Sequence, residues 1–89
     1  MNKITVTITL FGAFRKYDVQ FVTIELPQAS SISDIKKYLK DKLLSINANL
    51  FERDLVKHSV LANDSEILND NVVLVQDAKL SILPPVCGG

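Results

Sequence analysis

The sequence predicts an α+β fold, a mixed sheet packed on one main helix in two layers, and three observations predict it. Residues 3–10 alternate, with Ile4, Val6, Ile8 and Leu10 facing one way and Thr5, Thr7 and Thr9 the other. That is the period of a strand with one buried face. Residues 31–46 instead repeat their apolar side chains at helical spacing. Residues 79–83 then return to strand period, with Leu80 and Ile82 on one face.

Taken in order, the first strand breaks at Phe11-Gly12-Ala13, where Gly12 permits a turn. Lys16-Tyr17-Asp18 reads as a polar, hairpin-like connection. Alternation resumes over residues 19–26 with Val22, Ile24 and Leu26 on one face, and Pro27 ends the strand because it cannot donate to a ladder. Ser31-Ile32-Ser33-Asp34 has the form of a capping box and predicts a helix start. Ile32, Ile35, Leu39, Leu43 and Ile46 fall within a stripe about 80° wide at helical rotation, leaving Lys36, Lys37, Lys40 and Lys42 largely outside it. Residues 47–57 are irregular, with room for a short helical turn. Residues 60–62 read as a short strand, Asn63-Asp64 as a turn, residues 65–68 as a short strand or extended loop, and Asn69-Asp70-Asn71 as a second turn. A hairpin, a crossover helix and a late strand are the sequence order of a β-grasp fold.

Composition narrows the function classes. The chain has 89 residues, enough for one small domain with a two-layer core and little room for an enclosed catalytic pocket. Ten basic residues balance ten acidic ones, which removes the electrostatic reason to propose nucleic acid or a membrane surface as partner. Cys87 is the single cysteine, so no internal disulfide can form. No apolar run approaches the ~18 residues of a membrane span and no signal-peptide core opens the chain. The expectation is a soluble, cytoplasmic protein with a body at residues 1–83 and a tail at residues 84–89.

The tail carries the most information. Of three glycines in the sequence, two are its final residues, Gly88 and Gly89. Pro84 and Pro85 stop strand pairing and set an extended exit. A terminal carboxylate on so thin a tip can enter a narrow site on another protein, which makes the tail a candidate substrate end.

Three stretches resemble a known family. Leu10-Phe11-Gly12-Ala13-Phe14-Arg15 is similar to a Phe-x-x-x-Arg segment after the first strand. Val60-Leu61-Ala62-Asn63-Asp64-Ser65-Glu66 is similar to a "V-A-V-N-x-E" hairpin with one residue inserted. Leu80 to Gly89 is similar to a terminal strand followed by "PPVxGG", the specific element of the three. The family is that of the ubiquitin-like sulfur carriers, and the nearer resemblance is to the small subunits of molybdopterin synthase. The chain departs from it at residues 76–80, which lack the family's glycine and most of its acidic charge, and at Cys87, where a small Ser, Ala or Thr is usual.

The resemblance implies a sulfur relay. A ubiquitin-activator-like enzyme consumes ATP to adenylate Gly89, and sulfur transfer leaves a C-terminal thiocarboxylate. The tail (Pro84, Pro85, Val86, Cys87 and Gly88) inserts into the large synthase subunit, in an expected heterotetramer, and gives its sulfur to a cyclic pterin precursor. The chain is then a non-catalytic subunit, with no bound cofactor and no metal. The alternatives are a ubiquitin-like modifier conjugated to target lysines and a sister carrier serving thiamine or tRNA thiolation.

Other residues carry weaker signals. At least one of Phe11 and Phe14 is expected at a partner surface, because the inward alternation of the first strand already fills the sheet's helix-facing side. His58, the single histidine, lacks partners at ligand spacing. Asp34, Asp41, Glu52 and Asp54 are scattered over helix and loop and read as surface charge, and the helix lysines as a solvated face. Cys87 has no neighbouring His or Lys to activate its thiol.

Overall fold

The computed structural model describes residues 2–85. Strand β1 (Lys3–Leu10) leads through a 3-10 turn (Gly12–Tyr17) into β2 (Phe21–Pro27) and β3 (Ser30–Ser31). Helix α1 (Ile32–Ile46) follows, then a second 3-10 turn (Ala48–Leu50), α2 (Arg53–Lys57), β4 (Val60–Ala62), β5 (Ile67–Leu68), β6 (Val73–Leu74) and β7 (Ala78–Leu83).

The main sheet has five strands in the order β2-β1-β7-β4-β5. β1 pairs antiparallel with β2 and parallel with β7, Leu10 standing opposite Ile82, while β4 lies antiparallel to both β7 and β5. A parallel pair needs a crossover between its strands, and α1 supplies it. This is the β-grasp, ubiquitin-like architecture. Pro27 is tolerated as the last residue of β2 because β2 is an edge strand.

The core lies between α1 and the sheet. Ile4, Val6, Ile8 and Leu10 of β1, Val22, Ile24 and Leu26 of β2, and Leu80 and Ile82 of β7 are all buried. Ile32, Ile35, Leu39 and Leu43 close the core from the helix side. The fifth residue of the expected stripe, Ile46, is exposed: it is the last residue of α1, and the extended backbone of Asn47 leads the chain off the helix there.

The start of α1 follows the capping-box reading. The Asp34 backbone N–H donates to Ser31 Oγ, and the Ser31 N–H donates to the Asp34 carboxylate, both at 3.1 Å. Hydrogen bonds to the carboxylate, first from the Ser31 backbone N–H and then from its side chain, hold the Asp34 carboxyl below its usual range, since they favour the charged form. The β4–β5 hairpin is held the same way: Asn63 Oδ1 accepts from the N–H groups of Ser65 and Glu66 at 2.8 Å.

Three features differ from the sequence expectation. Residues 16–18 are not a simple hairpin link, for a 3-10 turn occupies residues 12–17 and Asp18 ends it in the left-handed region, φ 60°. β2 consequently begins at Phe21, and Val19 stays exposed outside it. The third difference is a two-stranded sheet of β3 and β6, which ties the chain after Asn69 to the entry of α1. It is reinforced by Ala29 N–H to Leu74 O, Ile32 N–H to Val72 O and Ser33 N–H to Asp70 O at 2.8–2.9 Å. Ladders of two residues are too short to generate a period, so their sequence carries no strand signal.

No helix among the described residues is long and apolar enough to cross a membrane.

Candidate functional site

β1 and β7 lie parallel at the centre of the sheet and end together. Their register pairs Thr9 with Ser81 and Leu10 with Ile82. Continued by two residues, it brings Gly12 beside Pro84. The approach is close: a Cβ on Gly12 would stand 2.6 Å from Pro84 Cγ. Gly12 has φ +56°, so conformation and proximity both call for glycine here. Pro84 is half-buried against this seat and Pro85 is exposed. Val86, Cys87, Gly88 and Gly89 of the expected tail lie outside the described residues.

Phe11 and Phe14 part ways at this edge. Phe11 keeps an extended backbone, φ −122° and ψ 162°, which continues the alternation of β1 and turns its ring away from the face of Leu10. It is 41% exposed. Phe14 corrects the expectation of a surface role: it is fully buried in the core. The turn at residues 12–17 reverses the chain over the open end of the sheet, so Phe14 and Tyr17 cap the core from an end that strand alternation alone leaves uncovered.

The floor of this region is tied down by residues 50–52. The Tyr17 hydroxyl donates to Leu50 O at 3.3 Å, and Lys16 Nζ pairs with Glu52 at 2.6 Å while lying 5.8 Å from the centre of the Tyr17 ring. Burial raises the Tyr17 hydroxyl above its ordinary value of 10.0; Lys16 opposes the shift and Glu52 adds to it. The raised group keeps its proton in the fold after the unfolded chain has lost it. Tyr17 thus contributes stability fully present below pH ~10 and lost as pH rises through the folded value. Denaturant titrations at rising alkaline pH are expected to show a loss of stability that is smaller in Tyr17→Phe. Equal pH slopes for both proteins would show that Tyr17 carries none of it.

Two shallow grooves flank the tail root. One, of about 470 Å³, is lined by Thr9, Leu10, Phe11, Arg15, Asp18, Val19 and Gln20. The other, of about 430 Å³, is lined by Glu52, Asp54, Leu55, His58 and Pro85. The sequence offers Glu52 and Asp54 only as scattered surface charge and His58 only as a histidine without ligand partners; α2 and its entry bring the three to one groove beside Pro85. The signal for this was only their common closeness to a short helix. Among the described residues no group of three or more His, Cys, Asp or Glu side chains could hold a metal ion. Asp34 and Asp41 belong to α1 and line neither groove.

The sheet face opposite α1 carries exposed apolar side chains, interspersed with Thr9 and Ser81, near the same end. Leu83 pairs with Val60, while Phe21, Thr9, Ser81, Ala62 and Ile67 follow one another across five strands. Phe21 and Ile67 are more than half exposed, and Leu83 is 36% exposed.

Comparison with known proteins places this geometry. The ThiS family matches residues 8–89. The fold is similar to that of SAMP1 from Haloferax volcanii, with TM-score 0.71 and 18% identity over 96% of this chain and 99% of that one. It is also similar to the H. volcanii small archaeal modifier protein 1, with TM-score 0.72 and 16% identity over 93% and 99%. A third likeness, to the H. volcanii HVO 2177 protein, has TM-score 0.69 and 18% identity over 98% and 88%. No curated protein matches the chain. With the family match spanning nearly all of a β-grasp body, the chain belongs to the ThiS family.

Proposed function

We propose that the protein is a sulfur carrier and acts as the small subunit of molybdopterin synthase. The observation that carries this reading is the family match running through residue 89, on a body whose last strand leads into Pro84 and Pro85 at a groove-flanked edge. A carboxylate is a poor electrophile. The Gly89 carboxylate attacks the α-phosphate of ATP on an activating enzyme, forming an acyl-adenylate and releasing pyrophosphate. A sulfur nucleophile then attacks the acyl carbon, AMP leaves, and a thiocarboxylate remains. On the large subunit this sulfur attacks the cyclic pterin precursor, water then cleaves the acyl–sulfur bond and returns Gly89 as a carboxylate, and two such rounds build the dithiolene.

The residues suit that task. Gly88 and Gly89 place no side chain beside the reacting carbon. Pro84 and Pro85 restrict the unbound tail and so lower the entropy lost on insertion. Phe11, with Leu83, Val60 and Phe21, forms the apolar surface proposed to meet the large subunit and the activating enzyme. Phe14 has no part in it.

Intact-mass measurement tests the reading. The chain is incubated with ATP, a sulfur donor and a ubiquitin-activator-like enzyme. The expected result is the mass gain of one oxygen replaced by sulfur, located on Gly89, and conversion of cyclic pterin precursor once the large subunit is added. A thiocarboxylate that no large synthase subunit consumes would redirect the reading to a carrier for thiamine or tRNA thiolation. A second reading, a modifier conjugated to lysines, draws on the likeness to the small archaeal modifier protein 1. Lysine-linked adducts with no thiocarboxylate would favour it.

A further inference from the structure

Gly12 is the one glycine outside the terminal pair, and nothing in the β-grasp core requires it. It precedes the buried Phe14, follows the exposed Phe11, and stands in the left-handed region at φ +56°. A turn alone would explain the φ, and Asn serves that conformation nearly as well. The contact with Pro84 is a separate demand. Any Cβ at residue 12 would lie 2.6 Å from Pro84 Cγ and 3.4 Å from Cδ, so the ring or the turn would have to shift.

Pro84 is the residue at which the sheet stops steering the chain. Among the described residues, Leu83 is the last in a ladder, paired with Val60. Proline has no N–H, so Pro84 cannot extend the ladder as a donor. The ring fixes its own φ but not the placement of the residue relative to the body. Contact helps to place it, and the bare Cα of Gly12 is one surface the ring lies against.

We propose that Gly12 is a positioning residue for the tail: it seats the Pro84 ring and so sets the direction in which the C-terminal residues leave the body toward an activating enzyme's site. This rests on the carrier reading above. An enzyme that holds the sheet face and takes the terminal carboxylate at once needs both in a fixed relation, and small misplacement at a reacting carbon costs as much as ~100-fold in rate. The seat is the joint between the two.

A double-mutant cycle tests this, with adenylation of the full-length chain followed by pyrophosphate release on an ATP-dependent activating enzyme. Gly12→Asn keeps the left-handed backbone but adds the colliding Cβ. It is expected to lower kcat/KM by ~10-fold or more, with a thermal midpoint close to that of the parent and with loss of the NOE between Gly12 Hα and the Pro84 ring. In a Pro84→Ala background the seat is already gone, and Gly12→Asn is expected to change kcat/KM less than ~2-fold. The same loss factor in both backgrounds overturns the proposal, since a merely structural effect of the turn would not depend on Pro84. Equal reaction of the parent and Gly12→Asn also overturns it and leaves the carrier reading standing. A parent chain that is never adenylated overturns the carrier reading, and the seat's role in acceptance with it.

Discussion

Removing Gly89 is expected to abolish thiocarboxylate formation while leaving the folded body intact. The truncated chain still ends in a glycine carboxylate, so its chemistry is unchanged and only its reach differs. One extended residue spans ~3.3–3.6 Å. A displacement of even ~1 Å at a reacting centre can cost ~100-fold, so a deficit of a whole residue should leave no measurable turnover. Stability should not follow. Among the described residues, the last of the hydrophobic core is Ile82, and the last ladder pair joins Val60 to Leu83. Intact mass reports the first quantity and a thermal melt the second. Full thiolation of the truncated chain would remove Gly89 from the mechanism.

Phe14→Ala is expected to have the opposite signature. Phe14 is fully buried among core side chains, and its ring covers the end of the sheet beyond Leu10 and Ile82. Truncating a buried phenylalanine costs ~3–5 kcal/mol through lost transfer energy and the cavity left behind. Domains have only ~5–15 kcal/mol in total. At ~4–8 °C per kcal/mol for this size, the melting midpoint should fall by ~12 °C or more. Phe11→Ala, three residues earlier and 41% exposed, should move the midpoint by a few degrees at most and act instead on partner affinity. Calorimetry on the two variants separates the roles. Similar midpoints would mean that Phe14 is not the core residue the packing makes it.

The same pair shows what a sequence can and cannot disclose. Both rings follow a strand of regular alternation, and a period-two pattern says only which way each would face if the strand continued. It does not continue. The 3-10 turn at residues 12–17 carries Phe14 back over the core, a placement that depends on Leu50 and Glu52, which hold Tyr17 and Lys16 from more than thirty residues away. Helix α1 is the contrasting case. Its cap, its length and its buried stripe were legible because capping and amphipathicity are local, repeating over four residues or fewer. Only Ile46 fell outside the pattern, where the repeat ran past the end of the sheet-facing segment.

The sequence by itself determined the β-grasp order of strands, the boundaries and inner face of α1, and the proline stop after Leu83, because each is written in periodicity or in backbone chemistry at single positions. The tertiary structure alone decided the pairing of Ser30-Ser31 with Val73-Leu74, the burial of Phe14, the convergence of Glu52, Asp54 and His58 beside Pro85, and the seat of Pro84 on Gly12. Each of these joins residues distant in the chain. The seat follows from the parallel register of β1 against β7 and the others from packing between distant segments, and neither leaves a trace in local residue order.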